Sequence, residues 1–218
     1  MKAHQRGFTL VELAIVMVII GLLMGGILKG QELINNAKAK TLANDFKVVA
    51  VAYYGYLDRF RAVPGDDGSA DSHVGGTAPT STTGTVNNGR IDGIWNFAAG
   101  STCPTESCLF WQHVRLAGLL SGSTTVNATS FLPVNSEAGR IGISGTAPTD
   151  GSGGSAWSAL FWVCSANING RLASQIDLML DDGVGNTGTV RAYVGTNTTS
   201  TTVSSTDTGT TYNVCVAY

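Results

Sequence analysis

Residues 6–21 read RGFTLVELAIVMVIIG, and the reading of this stretch decides the rest. The apolar run it opens continues to Leu28, which is long enough to cross a bilayer as a helix of about 20 residues. Only MKAHQRG precedes it, with Lys2 and Arg6 as the basic flank. Positive charge on that side holds it cytoplasmic and sends the rest of the chain outward. A secretory signal would have a shorter apolar core and a small-residue cleavage site after it, and no clear site of that kind follows here. An uncleaved single-pass anchor accounts for the length and the charges. It does not account for Glu12, a carboxylate placed where hydrocarbon makes charge expensive and where such a residue usually marks function.

Composition narrows the remaining classes. The chain has 218 residues, a formal net charge of −2 and 13% charged residues. That length allows one well-buried domain and an additional element. The near-neutral balance gives no electrostatic footprint for nucleic acid, which needs a basic face. Beyond residue 28 the chain is rich in Gly, Thr, Ser and Asn, a secreted or surface composition.

No catalytic set emerges. The chain has three histidines: His4 in the leader, His73 in a long loop and His113 among apolar residues. There is no G-x-S-x-G elbow, no H-E-x-x-H and no phosphate-cradling glycine loop. The carboxylates are scattered through turns. An enzyme is therefore not expected.

Helical periodicity carries on past the span. Residues 29–60 hold no proline, and Leu42, Phe46, Val49, Tyr53, Tyr56 and Phe60 repeat at spacings of three and four. This is one apolar face of a helix. A helix from Phe8 to about Asp58 would measure about 75 Å at 1.5 Å per residue. Gly25 and Gly26 weaken it locally and permit bending. Alternatively, the small-xxx-small spacings Gly21 to Gly25 and Gly26 to Gly30 allow close helix approach. Pro64 in VPGDDG (63–68) ends the helix with turn chemistry. A long exposed loop is expected to about Arg90. A short helix is expected over 108–120, strands over 140–144, 157–164, 188–194 and 211–218, and a helix over 172–180. The fold class is α+β: one long helix packed on an antiparallel sheet.

The segment Arg6-Gly7-Phe8-Thr9-Leu10-Val11-Glu12 resembles the processing motif of type IV prepilins and type II secretion pseudopilins. The resemblance implies that a membrane-embedded prepilin peptidase cuts after Gly7 and methylates the new N-terminus at Phe8. It implies that Glu12 meets the Phe8 amine of a neighbouring subunit during assembly. A charge-assisted pair in low dielectric would then fix the register of one helix against the next. The expected organisation is a cleaved leader at 1–7, a transmembrane and filament-core helix at 8–28, its amphipathic continuation at 29–60 and an extracytoplasmic head at 61–218. A ladle shape belongs to the same expectation. The segments VPGDD, FWQHVRLAGLL (110–120) and IDLMLDDGVGNTGTVRA (176–192) also look like the head of a pseudopilin-like subgroup.

The expected role is a structural subunit of a type IV pilus or pilus-like filament. Its partners would be itself, other pilins and an inner-membrane assembly platform. Its place is the bacterial inner membrane, and then a filament in the periplasm or outside the cell. A type II secretion pseudopilin or minor pilin is the alternative. A membrane-tethered binding module that never polymerises is the alternative of another class, with TNTTSTT (196–202) as its adhesive or glycosylated edge.

Four cysteines in an exported domain suggest two disulfides, and four cysteines allow three pairings. Cys103 and Cys108 form a natural local loop. Cys164 and Cys215 would then tie the last strand to a central one, a linkage that pilins often have. No cofactor is required. Calcium, known in the C-terminal loop of pseudopilins, has two candidate turns: Asp181, Asp182 and Asn186, and Asp66 and Asp67 with Asp71. Neither turn matches an EF-hand loop.

Overall fold

The computed structural model describes residues 9–81, 84–97, 105–126, 128, 130–148, 157–195 and 200–218. Helix α1 spans Leu10–Phe60. It is followed by α2 (Ala70–Val74), α3 (Glu106–Leu116), β1 (Ile141–Ser144), β2 (Trp162–Asn169), α4 (Gly170–Leu180), β3 (Val190–Val194) and β4 (Thr211–Ala217). The strands form one antiparallel sheet in the order β1-β2-β4-β3. This is the α+β class with a long N-terminal helix. The chain divides into two compact units, Met1–Lys38 and Ala39–Tyr218, so the last part of α1 belongs to the second unit.

Within the second unit the helical stripe becomes core. Leu42, Phe46, Val49, Tyr53 and Tyr56 are buried, and the Tyr53 ring lies 4.1 Å from that of Phe161 at the start of the sheet. Strand alternation supplies the facing layer: Val163 from β2, Val190 and Ala192 from β3, and Val214 and Val216 from β4 join the same cluster. Helices α3 and α4 add Phe110, Trp111, Val114, Leu172 and Ile176. The sheet's other face is covered as well. There Trp162, Cys164, Tyr193 and Cys215 form a second cluster, joined by Trp95 and Trp157.

That second cluster explains one departure from the expected strands. Strong β-propensity predicts a strand from Trp157, whereas β2 begins at Trp162 and runs on to Asn169. Trp157 instead packs beside Trp162 and Tyr193, with the Arg191 guanidinium 4.9 Å from its ring centre. Packing of a large ring into the cluster on the sheet's second face outweighs strand propensity here. The expected helices at 108–120 and 172–180 appear as α3 and α4, displaced by a few residues. Asn169 starts α4 by accepting a hydrogen bond from Leu172 N at 3.0 Å.

A second departure is the stretch after α1. The expected exposed loop at 66–90 contains α2, and Asp66, Asp67 and Ala70 are buried within it. The Pro64-Gly65 turn is pinned to α3: Gly65 N donates to His113 Nδ1 at 3.0 Å, and His113 Nε2 donates to Thr77 O at 2.8 Å. His113 is thus a neutral, buried linker whose pKa is lowered by burial. Gly65 has φ 96°, and a Cβ there would stand 2.5 Å from Glu106 O, so the turn requires glycine.

Cys164 and Cys215 face each other across β2 and β4 and form a disulfide, with Cα atoms 4.0 Å apart. Cys108 is also disulfide-bonded, while Cys103 lies outside the described residues. The Cys164–Cys215 link closes a loop of sequence separation 51. Replacing both cysteines by Ala should lower unfolding stability by about 4 kcal/mol in the chain-entropy account, measured by urea denaturation under non-reducing conditions.

Candidate functional site

The first turn of α1 is closed by Thr9 and Glu12. Thr9 N and Thr9 Oγ1 donate to Glu12 Oε2 at 2.8 and 2.9 Å, and Glu12 N donates to Thr9 Oγ1 at 3.3 Å. This is a reciprocal capping box, which satisfies donors that a helix start otherwise leaves without partners. The T-x-x-E spacing at 9–12 was readable in the sequence. The carboxylate's cost in lipid gives Glu12 a second meaning, and that meaning masks the cap in the sequence. Gly7 and Phe8 lie outside the described residues.

Beyond the cap, the helix surface is apolar on all sides. The large apolar side chains from Leu10 to Leu28 are exposed, from 44% at Ile20 to 87% at Leu10. A helix of this length and composition can cross a membrane. At Gly21, Gly25, Gly26 and Gly30 an added Cβ would meet nothing within 4 Å, so none of the described residues fills the space these glycines leave. Lys29 and Glu32 form an exposed ion pair at 2.7 Å just past the span.

Residues 2–28 match the prokaryotic N-terminal methylation motif. These residues are a prepilin-type signal. The match covers the leader, Gly7, Phe8, Glu12 and the apolar run, and leaves residues 29–218 outside it. The prepilin-type signal supports a type IV pilin or pseudopilin-like protein and implies processing by a prepilin peptidase. With the apolar helix it suits anchoring in the inner membrane. No curated protein and no solved structure matches the chain.

The two acidic turns are arranged differently from each other. Asp177, Asp181 and Asp182 gather carboxylate oxygens within 4.8 Å of one another and could hold a metal ion. Asp177, on the last turns of α4, was not among the residues singled out by sequence; its helical spacing from Asp181 was the available signal. Its Oδ2 is buried without a hydrogen-bond partner. Burial, then the charges of Asp182 and Asp181, push its pKa up to about 6. Asn186 is exposed on the turn that follows.

The first turn does not present its aspartates together. Both oxygens of Asp67 are engaged: Oδ2 accepts from Tyr56 OH and His73 Nδ1, each at 2.7 Å, and Oδ1 accepts from Ser69 N at 2.9 Å. These bonds, led by that from His73, outweigh its burial and hold the Asp67 carboxyl below its usual range. Asp67 is therefore an anchor for α1 and α2, not a ligand paired with Asp66. Asp66 turns instead to the 84–92 loop, where Gly89 N donates to its Oδ2 at 2.7 Å.

Asp177 gives a pH dependence of definite sign. Its folded pKa is raised from 3.8 to about 6. Its stabilising contribution is therefore complete below about 3.8 and lost as pH rises through about 6. In EDTA, Asp177→Asn should cost stability at pH 4.5 relative to its effect at pH 7.5, where it should be neutral or stabilising. Urea unfolding of the wild type and the variant at the two pH values checks this.

Proposed function

We propose that this chain is the structural subunit of a type IV pilus or pilus-like filament, cut after Gly7, N-methylated at Phe8 and polymerised through its N-terminal helix. The reading is carried by one observation: a prepilin-type signal leads into a helix whose large apolar side chains from Leu10 to Leu28 are exposed. In the membrane, lipid covers that helix. In a filament, equivalent helices of other subunits cover it, and the glycines at 21, 25, 26 and 30 let their backbones approach closely.

Glu12 acts twice in this account. In the stored subunit it caps its own helix through Thr9. During assembly its carboxylate meets the methylated Phe8 amine of a neighbour, and the pair sets the axial register. The calcium expected at the C-terminal turn is assigned in the same reading to Asp177, Asp181 and Asp182, supported by the buried, partnerless Asp177 Oδ2.

The double role separates two kinds of variant. Thr9→Ala loses the cap, at a helix cost of about 1 kcal/mol, and should still assemble. Glu12→Ala should abolish incorporation into filaments while leaving cleavage after Gly7 intact. Immunoblots of sheared filaments and membranes read both effects. Normal assembly of Glu12→Ala would overturn the proposed mechanism, and equal loss in both variants would reduce Glu12 to a helix cap.

A further inference from the structure

Partway along the sheet, β2 falls out of step with β4. The register shifts between Ser165 and Ile168, so Ala166 and Asn167 together stand opposite Asn213, with Asn167 at φ 59°. Two residues against one make a β-bulge, a device that re-aims side chains and is common beside functional sites. A buried amide holds the bulge in place. Asn135 Nδ2 donates to Ser165 Oγ at 2.8 Å and to Ala166 O at 2.7 Å, while its Oδ1 accepts from Glu137 N and Gly139 N at 2.9 and 2.7 Å. Ala138, in the turn so held, also takes a positive φ of 58°. Gly139 must be glycine, because an added Cβ would collide with Ala166 O.

The segment 93–97 crosses β1 beside the bulge. Ser144 Oγ donates to Gly93 O at 2.8 Å, and an added Cβ at Gly142 would collide with Trp95 O. Trp95 is half-buried and packs against the sheet's second cluster. With Asn96 it forms the shared wall of two cavities, of about 380 and 340 Å³. The larger is lined as well by Arg140, Asn167 and Asn213, and by Ala138 of the strained turn. Asn167 Nδ2 donates to Glu137 O and Asn213 Nδ2 to Gly195 O, each at 2.6 Å, which fixes both amides. Their Oδ1 atoms, and the whole Asn96 amide, make no hydrogen bond among the described residues. Arg140 donates through Nη1 to Phe97 O and forms no ion pair with a described residue.

The lining selects a class of ligand. No carboxylate lines either cavity, so neither suits a metal ion or an organic cation. Amide carbonyls accept, while Asn96 Nδ2 and the remaining Arg140 N–H groups donate. A wholly apolar ligand would strip water from these groups and return no hydrogen bond. A small anion would meet one guanidinium among amide oxygens that repel it. A sugar ring satisfies the whole set: its hydroxyls both donate and accept, and its C–H groups suit the electron-rich face of an indole. Each cavity is within the size range of ligand sites. We propose that this cleft binds an uncharged glycan, with a sugar ring on either side of Trp95 and hydroxyls on the Asn96, Asn167 and Asn213 amides. The inference goes beyond the filament role and does not rest on it, because the cleft lies wholly within the Ala39–Tyr218 unit.

The test applies the full-length chain, in a detergent without a sugar headgroup (lauryldimethylamine oxide), to a printed array of bacterial, plant and animal glycans. An uncharged oligosaccharide should be retained. Titrated free in solution against tryptophan fluorescence, it should lose about tenfold in affinity with Trp95→Ala. Asn96→Ala and Asn213→Ala should each lose about fivefold. The affinity should hardly change with ionic strength, because the ligand carries no charge. Asn96 is exposed and makes no hydrogen bond among the described residues, so Asn96→Ala folds even where Trp95→Ala does not; Tm checks each variant. An array that retains nothing would overturn the proposal. So would a ligand that Asn96→Ala and Asn213→Ala leave at full affinity, or one released by salt, which would be an anion on Arg140.

Discussion

An exposed apolar helix surface is the constraint on which everything else depends. From Leu10 to Leu28 the large apolar side chains are exposed, and water is not a tolerable neighbour for that much hydrocarbon. A lipid bilayer solves the problem for a single subunit, and a bundle of like helices solves it for many. The same residues serve both solutions because the run is apolar on every side. Four glycines with open space around them add nothing to the isolated subunit, and they gain a purpose once a second helix approaches.

Placing a carboxylate in such a run requires a partner in each environment. The capping box with Thr9 provides one within the subunit, through the Thr9 backbone N–H that the helix start leaves over and the Thr9 hydroxyl. A neighbour's terminal amine would provide a stronger one, because both groups then carry charge in a low dielectric. On the proposed reading, exchanging the local bond for an intersubunit ion pair would set the register in which like helices pack. The head meets a different demand. It buries its sheet on both faces, fastens β2 to β4 with the Cys164–Cys215 disulfide, and holds the end of α1 through Tyr56, Asp67 and His113.

The features legible in the sequence were those written at short range. The apolar span and the stripe from Leu42 to Tyr56, the latter written in spacings of three and four, recur in the structure, while the basic flank at Lys2 and Arg6 lies outside the described residues. The strand positions were partly legible. Trp157 misled because β-propensity describes a ring on a pleated surface and does not say which surface. The 66–90 segment read as an exposed loop because it lacks large apolar residues. Its anchoring is polar, through Asp66, Asp67 and His73, and polar anchoring has no period. The acidic groups were legible only as turns. Asp177 lies one helical turn before Asp181, and the fold brings its carboxylate beside those of Asp181 and Asp182. The Thr9 and Glu12 box had a readable spacing, yet one explanation for Glu12 hid the other.

The central claim is that this chain is processed at Gly7 and carried in a filament by its N-terminal helix. Intact mass and N-terminal sequencing of the protein, taken separately from sheared surface material and from membranes, tests it most directly. The account predicts a chain beginning at methylated Phe8 in both fractions if the filament is an extracellular pilus. Methylated Phe8 confined to membranes points to a pseudopilin or minor subunit within the same account. A chain that keeps Met1 in both fractions would contradict it.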